Sequence, residues 1–367
     1  MALDFSGQTL VNEDFSGLDL TGANFSNATL IDSSLRDQNL QGANFEGVTF
    51  NNVNANGADF RLTNFTDATI SDTSFNNANL SGLSITDTVF TNTTFRNADL
   101  SNLDTEDLNL ANAEFNDATL TNAKFADSIL TGANFNGASA EGIFLEEADL
   151  TGGKFRGTDL SEAFLGGANL SDANFRAPDN DPQLVAQLDG AFLEGANLTN
   201  AKLQEADLRG AQLKLANLTN ANLRGSNLSN SQLVEANLSG ANLRNADLTS
   251  AFAEKSDITG ADFTNATLVN VNLKEANANG AIFTDADLQN AVLEKAILSN
   301  GIFIDGNDAD TIGADLSGIA FVDGIATGAN FTNALFVDAD LTKANFTNAI
   351  TTGAIFNGAN TTDTIGL

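Results

Sequence analysis

The sequence predicts an all-β solenoid: a chain that turns a corner every five residues and stacks square coils of 20. Three observations predict it. A large apolar residue recurs at every fifth position, a small residue stands two places before it, and Ser or Thr and then Gly or Asn commonly follow it.

The apolar column comes first. Counting in fives from Phe5 gives Leu10, Phe15, Leu20, Phe25, Leu30, Leu35, Leu40, Phe45 and Phe50, and the series runs to Phe175 with lapses chiefly at Ala55, Thr105 and Ala140. Of the 27 Phe, 23 stand at such centres, which marks the centres as buried. A period of five fits neither the 2.0 of a plain strand nor the 3.6 of an amphipathic helix. It fits a chain with a turn in every pentad. Four corners close one coil, and stacked coils pair their backbones about 4.8 Å apart.

The small position comes second: Ala23, Ala28, Ala43, Ala58, Ala68 and Ala78 each precede a centre by two and share the interior with it. The other three residues of each pentad face water. Written as A-(D/N)-L-x-x, the pattern stands in Ala196-Asn197-Leu198-Thr199-Asn200 and Ala206-Asp207-Leu208-Arg209-Gly210. It resembles the pentapeptide-repeat family, one abundant in cyanobacteria, over nearly the whole chain. The resemblance implies a right-handed quadrilateral β-helix lined by Phe and Leu.

The register organises the chain into blocks. Residues 1–175 form a first solenoid block, 176–192 an insertion, 193–303 a second block, 304–315 a loop and 316–367 a third block, all read as one rod of about 17 coils. The insertion holds both prolines, Pro178 and Pro182. Asp181 and Pro182 can start a short helix over 183–188, with Leu184, Val185 and Leu188 on one apolar face. That face either packs on the solenoid or serves as a partner-binding protrusion. In the loop 304–315, Asp305, Asn307, Asp308 and Asp310 resemble a calcium loop in composition, but the EF-hand spacing fails and a solvated turn is expected.

Composition argues against an enzyme. The chain has no His, Cys, Trp or Tyr, which removes the commonest general base, the thiolate nucleophile and most zinc ligands. No cofactor and no metal site is expected. Sixteen Lys and Arg against 48 Asp and Glu leave a net charge of −32, which repels nucleic acid and attracts basic proteins or cations. No apolar run is long enough to span a membrane, no secretory leader is visible, and a cytoplasmic location is expected. Open coil ends make self-association through the solenoid ends an expectation.

The charge is uneven. Residues 1–175 carry 6 basic and 25 acidic side chains, whereas residues 193–303 carry 8 and 12. Residues 20 apart stack, so one outward column reads Asp67, Asp87, Asp107, Asp127 and Glu147, with Glu106 and Glu146 beside it. Like charges in neighbouring coils repel, so the column is either a device for solubility or a docking face for a basic partner. In the second block the columns alternate in sign, as in Glu235, Lys255, Glu275 and Lys295. The coil around Leu103, Thr105 and Leu108 is expected to be weak, because Leu fills positions that elsewhere hold Ala.

Two functions of different kind follow. One is a rigid, non-enzymatic scaffold for protein–protein assembly. The other rests on the family resemblance, since some pentapeptide-repeat proteins bind type II topoisomerases as acidic DNA mimics; the near-neutral second block and the lack of a C-terminal helical module count against it.

Overall fold

One pentad shows why the chain turns. Ala28 donates its amide to the carbonyl of Phe25 at 2.9 Å, closing a four-residue turn whose third residue, Asn27, has φ of 55°. A left-handed third residue is the mark of a type II turn, and Gly, Asn and Asp occupy it at least cost. The side chain of Asn24 secures the approach, since its Oδ1 accepts the amide of Ser26 at 3.1 Å. The free backbone groups then join the neighbouring coils: Phe25 donates to Asn44 at 2.7 Å, and Asn44 donates to Ala23 at 2.9 Å. Each motif residue therefore has a separate task. Asn at the second place fixes the turn, the centre fills the core, and the residue two after it takes the left-handed backbone.

The computed structural model describes residues 2–83, 85–105, 107–177, 184–303 and 314–367. Two compact units divide the chain, Met1–Gln187 and Leu188–Leu367. Among the described residues all regular structure is strand or parallel bridge, with four columns of centres per 20-residue repeat. Both units are thus built as four-sided β-solenoids.

In the first unit, one corner differs from the others over the first five coils. There the chain forms short strands, β1 (Thr9–Val11), β2 (Thr29–Ile31), β3 (Thr49–Asn51), β4 (Thr69–Ser71) and β5 (Val89–Thr91), paired in parallel and in order. Thr9, Thr29, Thr49 and Thr69 sit opposite one another in register. The residues that follow these strands are often hydroxylated, and Ser33 and Thr73 use their Oγ to accept the amides of Glu13 and Val53. From Leu110 onward the same corner closes as an ordinary turn, with Ala113 donating to Leu110 at 3.0 Å.

The core is a set of side-chain stacks. Phe75, Phe95, Phe115, Phe135, Phe155 and Phe175 lie face to face, with centroids 4.8–5.5 Å apart and planes within 14°. Offset stacking of this kind adds about 0.5–1.5 kcal/mol per pair to the burial itself. In the second unit Leu centres dominate, and Phe263, Phe283, Phe303 and Phe331 form a comparable stack at 4.6–4.9 Å.

Both breaks preserve the register by the same length. Bridged residues are 20 apart almost everywhere, but Asp159 pairs with Gln187 and Asp287 with Asp315, each 28 apart. Each break thus adds eight residues between partners and returns the chain to its own column.

The first break ends earlier than the sequence suggests. Ala186 and Leu188 are fully buried, and Gln187 bridges to Asp159, so Ala186-Gln187-Leu188 opens a solenoid pentad that runs to Gly190. This corrects the expected helix: residues 184–188 are not helical, and Leu188 shares no surface face with Leu184 and Val185. The backbone ladder at Gln187 and the core site for Leu188 outweigh the helical pattern of a six-residue stripe. The calcium-like residues Asp305, Asn307, Asp308 and Asp310 lie outside the described residues.

Candidate functional site

The left-handed turn position places the acidic column. Asp67, Asp87, Asp107, Asp127 and Glu147 each occupy it, with φ between 55° and 59°, and all five are exposed. Four of their amides belong to the inter-coil ladder: Asp67 donates to Thr86 at 3.0 Å, Asp107 to Ala126 at 3.2 Å, Asp127 to Glu146 at 2.9 Å and Glu147 to Gly166 at 3.0 Å. The backbone therefore holds five carboxylates at successive steps of roughly 4.8 Å. Among the described residues none of the five makes an ion pair. Glu146 is half-buried beside Glu147, while Glu106 lies outside the described residues.

Carboxylates elsewhere on the surface have partners. One corner away, Asn52 Nδ2 donates to Asp32 Oδ1 at 2.7 Å and Asn92 Nδ2 to Asp72 Oδ1 at 3.0 Å. Lys124 pairs with Asp104 at 2.9 Å, Arg96 with Glu114 at 3.7 Å, and Arg61 with Asp59 at 2.6 Å. The Arg61 hydrogen bond, helped by Gln41, holds the Asp59 carboxyl down at about 2. In the second unit Lys214 pairs with Glu194 and Lys274 with Glu294.

The acidic column passes through a flaw in the coil stack. At Leu83, Leu103 and Leu108 a Leu stands where most pentads have Ala, and all three are buried. The extra volume leaves poor fits around it. The Ile85 amide reaches Asp104 only at 3.4 Å, against 2.7 Å for Phe95 to Glu114. An interior void of about 20 Å³ opens among Phe65, Ile85, Leu103, Leu108 and Phe125, and its walls are wholly apolar. On the surface a cleft of about 440 Å³ forms, lined by Ile85, Thr86, Asp87, Thr88, Asp104, Thr105, Asp107 and Leu108. The sequence pointed to a weak coil here but gave no sign of a cleft.

The candidate loop is only partly a surface feature. Leu184 is 42% exposed and Val185 half-buried, and Leu184 lies against Gly157. Among the described residues no group of three potential metal ligands is placed to hold an ion, and no helix is long and apolar enough to cross a membrane. A second surface feature had no signal beyond its lapse from polarity: Phe144 and Phe164, each one place before a centre, stack outside the coil at 4.7 Å.

Comparison with known families decides what this architecture is. The pentapeptide-repeat model matches residues 3–67, 128–177, 186–252, 261–300 and 314–360 in overlapping segments, and a related pentapeptide-repeat region model matches 68–145. The chain belongs to the pentapeptide-repeat family. No curated protein matches it. Among solved structures this pentapeptide-repeat protein is similar to HetL, involved in heterocyst differentiation regulation in the cyanobacterium Nostoc sp. strain PCC 7120. Identity is 25% over 71% of this chain and 90% of that one, with a TM-score of 0.29. It is also similar to QnrB1, a plasmid-mediated fluoroquinolone resistance protein, at 18% identity over 58% and 89% of the two chains, with a TM-score of 0.39. A pentapeptide-repeat protein of the Arabidopsis thaliana thylakoid lumen is 32% identical over 36% of this chain and 69% of that one, with a TM-score of 0.16.

Proposed function

We propose that this pentapeptide-repeat protein is a non-enzymatic scaffold that binds a basic protein partner along the acidic column of its first unit. The observation that carries this is the five-coil run from Asp67 to Glu147, all acidic and all exposed, with no ion pair among the described residues. Elsewhere the fold tempers such columns with Asn or with cations, as at Asn52 and Asp32. A basic partner relieves the mutual repulsion on binding, so its affinity falls as salt rises. A full-length mimic of DNA is less favoured, because left-handed positions of the second unit include Lys255 and Lys295.

The test replaces column residues outside the cleft: Asp67→Asn, Asp127→Asn and Glu147→Gln together. Affinity capture from the native cell with the full chain as bait is expected to lose its partner with this variant, while thermal stability is kept or raised. Capture of the same partner by the variant would reduce the column to a solubility device.

A further inference from the structure

We propose that Phe144 and Phe164, stacked on the outside of the first unit, form a docking patch for an apolar side chain flanked by Lys or Arg on a partner protein. This rests on the docking function just described and supplies the apolar contact that the acidic column lacks.

The repeat builds the patch. Both residues stand one place before a centre, in the middle of a coil face, and the bridge between them holds the rings 4.7 Å apart and within 3° of parallel. Asn24, Asn44 and Asn64 occupy the same place in the same column, so neither the turn nor the core requires an aromatic pair there. Both rings are half-buried, and the corners beside them carry Gly142, Gly166 and Gly167, which raise no side chain over the remaining ring edges. The local backbone is already paired: Phe144 donates to Ala123 at 2.9 Å, Leu145 to Phe164 at 2.7 Å and Phe164 to Ile143 at 2.9 Å. A ligand therefore meets side chains here and no free strand edge.

Charge selects the occupant. Asp127 and Glu147 stand at the corner after the rings and Glu162 at the corner before them, all exposed and without an ion pair among the described residues. The Glu147 carboxylate reaches over Gly167, into the coil of Phe164. A second copy of the chain would bring its own excess of acid, 25 acidic against 6 basic side chains over residues 1–175, and nucleic acid is repelled in the same way. An apolar side chain between two cations fits both parts of the patch. The anchor covers the rings, and the cations meet the carboxylates on either side.

The chain has no Trp or Tyr, so a Trp probe reports alone. The full-length protein is titrated with acetyl-Lys-Lys-Trp-Lys-Lys-amide, following Trp emission and anisotropy. A saturable blue shift is expected, with acetyl-Lys-Lys-Ala-Lys-Lys-amide at least about tenfold poorer as a competitor. Phe144→Asn with Phe164→Asn places the residue of the earlier coils at both positions, which keeps the fold. It is expected to weaken binding about tenfold or more with the salt dependence unchanged. Glu147→Gln with Glu162→Gln is expected to weaken binding severalfold and to flatten its salt dependence. Wild-type affinity in the Asn pair, equal competition by the alanine peptide, or equal binding of acetyl-Glu-Glu-Trp-Glu-Glu-amide would each overturn the proposal. So would self-association of the full chain, read by sedimentation and abolished in the Asn pair, because it gives the patch to a second copy. Loss of the captured partner in the column variant, beside an Asn pair that keeps both partner and peptide, would sink the patch and leave the docking function standing.

Discussion

Asn52 donates its side-chain amide to the carboxylate of Asp32, 2.7 Å away in the preceding coil. Asn92 does the same for Asp72. The left-handed turn position thus carries a ladder in which every other rung is a donor. The acidic column uses the same backbone geometry with the donors taken out.

Restoring one donor should therefore stabilise the column. Asp127→Asn keeps a residue that tolerates the left-handed backbone and places a donor one coil after Asp107, in the direction seen for Asn52. An expected gain of about 0.5–1 kcal/mol combines a cross-strand pair with relief of like charge. Urea unfolding at low and high salt checks it: the gain should shrink with salt, since only part of it is screened. A loss of stability at both salts would contradict it.

The Phe stack sets the energetic scale against which such surface terms are small. Phe115 is fully buried and stacks on Phe95 at 5.2 Å and on Phe135 at 5.0 Å. Phe115→Ala removes the burial and both stacking contacts and should cost about 3–5 kcal/mol. Because each coil leans mainly on its neighbours, the loss should be local. Hydrogen exchange should accelerate most in the coils holding Phe95 and Phe135, and a uniform change across the first unit would argue against local coupling.

The flawed coil should open first in the wild type. Leu103 and Leu108 overfill it, Thr105 wastes a core position, and the Ile85 to Asp104 bond is stretched to 3.4 Å. Amides of residues 103–105 and 107–108 are expected to exchange about tenfold or more faster than those of 113–135, a difference of roughly 1.4 kcal/mol in opening free energy. Equal protection would show that the void is harmless.

These sites differ in how far the sequence reveals them. The centres are legible because burial selects Phe and Leu at a fixed interval, and 23 of 27 Phe obey it. The acidic column is legible because a 20-residue coil turns spacing directly into stacking. Leu188 keeps the five-residue period of Leu193 and Leu198, with Ala186 two places before it, but beside the proline-containing break its apolar neighbours fit a helix as well and mask that period. The cleft escapes for another reason. Overfilling at Leu103 is visible in the residue list, but whether it is absorbed inside or opens the surface depends on how the backbone yields.

Asp59 gives the first unit a defined response to acid. Its carboxyl lies near 2 because Arg61 donates to it, with Gln41 at 2.8 Å and the Arg61 amide at 3.1 Å assisting. The folded state holds this proton more weakly than the unfolded chain, whose Asp titrates near 3.9. Its stabilisation is therefore complete above about pH 4 and is lost as pH falls towards 2. Arg61→Gln should move the Asp59 titration, followed by carboxyl NMR, upward but not fully to the ordinary value, because Gln41 and the amide remain. An unmoved titration would remove Arg61 as the main cause.

The break after Phe175 offers a test of packing that separates backbone strain from contact. Gly157 has φ of 62°, and a Cβ placed there would strike Leu184 of the break. Gly152 has φ of 66° and open space around it. Gly152→Ala should then cost only the left-handed penalty, about 1–2 kcal/mol. Gly157→Ala should cost that plus the displacement of Leu184, whose contact with the coil holds the end of the break. Leu184→Ala removes the obstacle, so in that background Gly157→Ala should fall back to the Gly152→Ala value. The double-mutant cycle reads the difference as a coupling free energy, expected at about 0.5–2 kcal/mol. Hydrogen exchange at the Val185 amide should speed up in Gly157→Ala and in Leu184→Ala but not in Gly152→Ala. A coupling of zero would mean that Leu184 swings aside without cost, and that its place on the coil contributes nothing to anchoring the break.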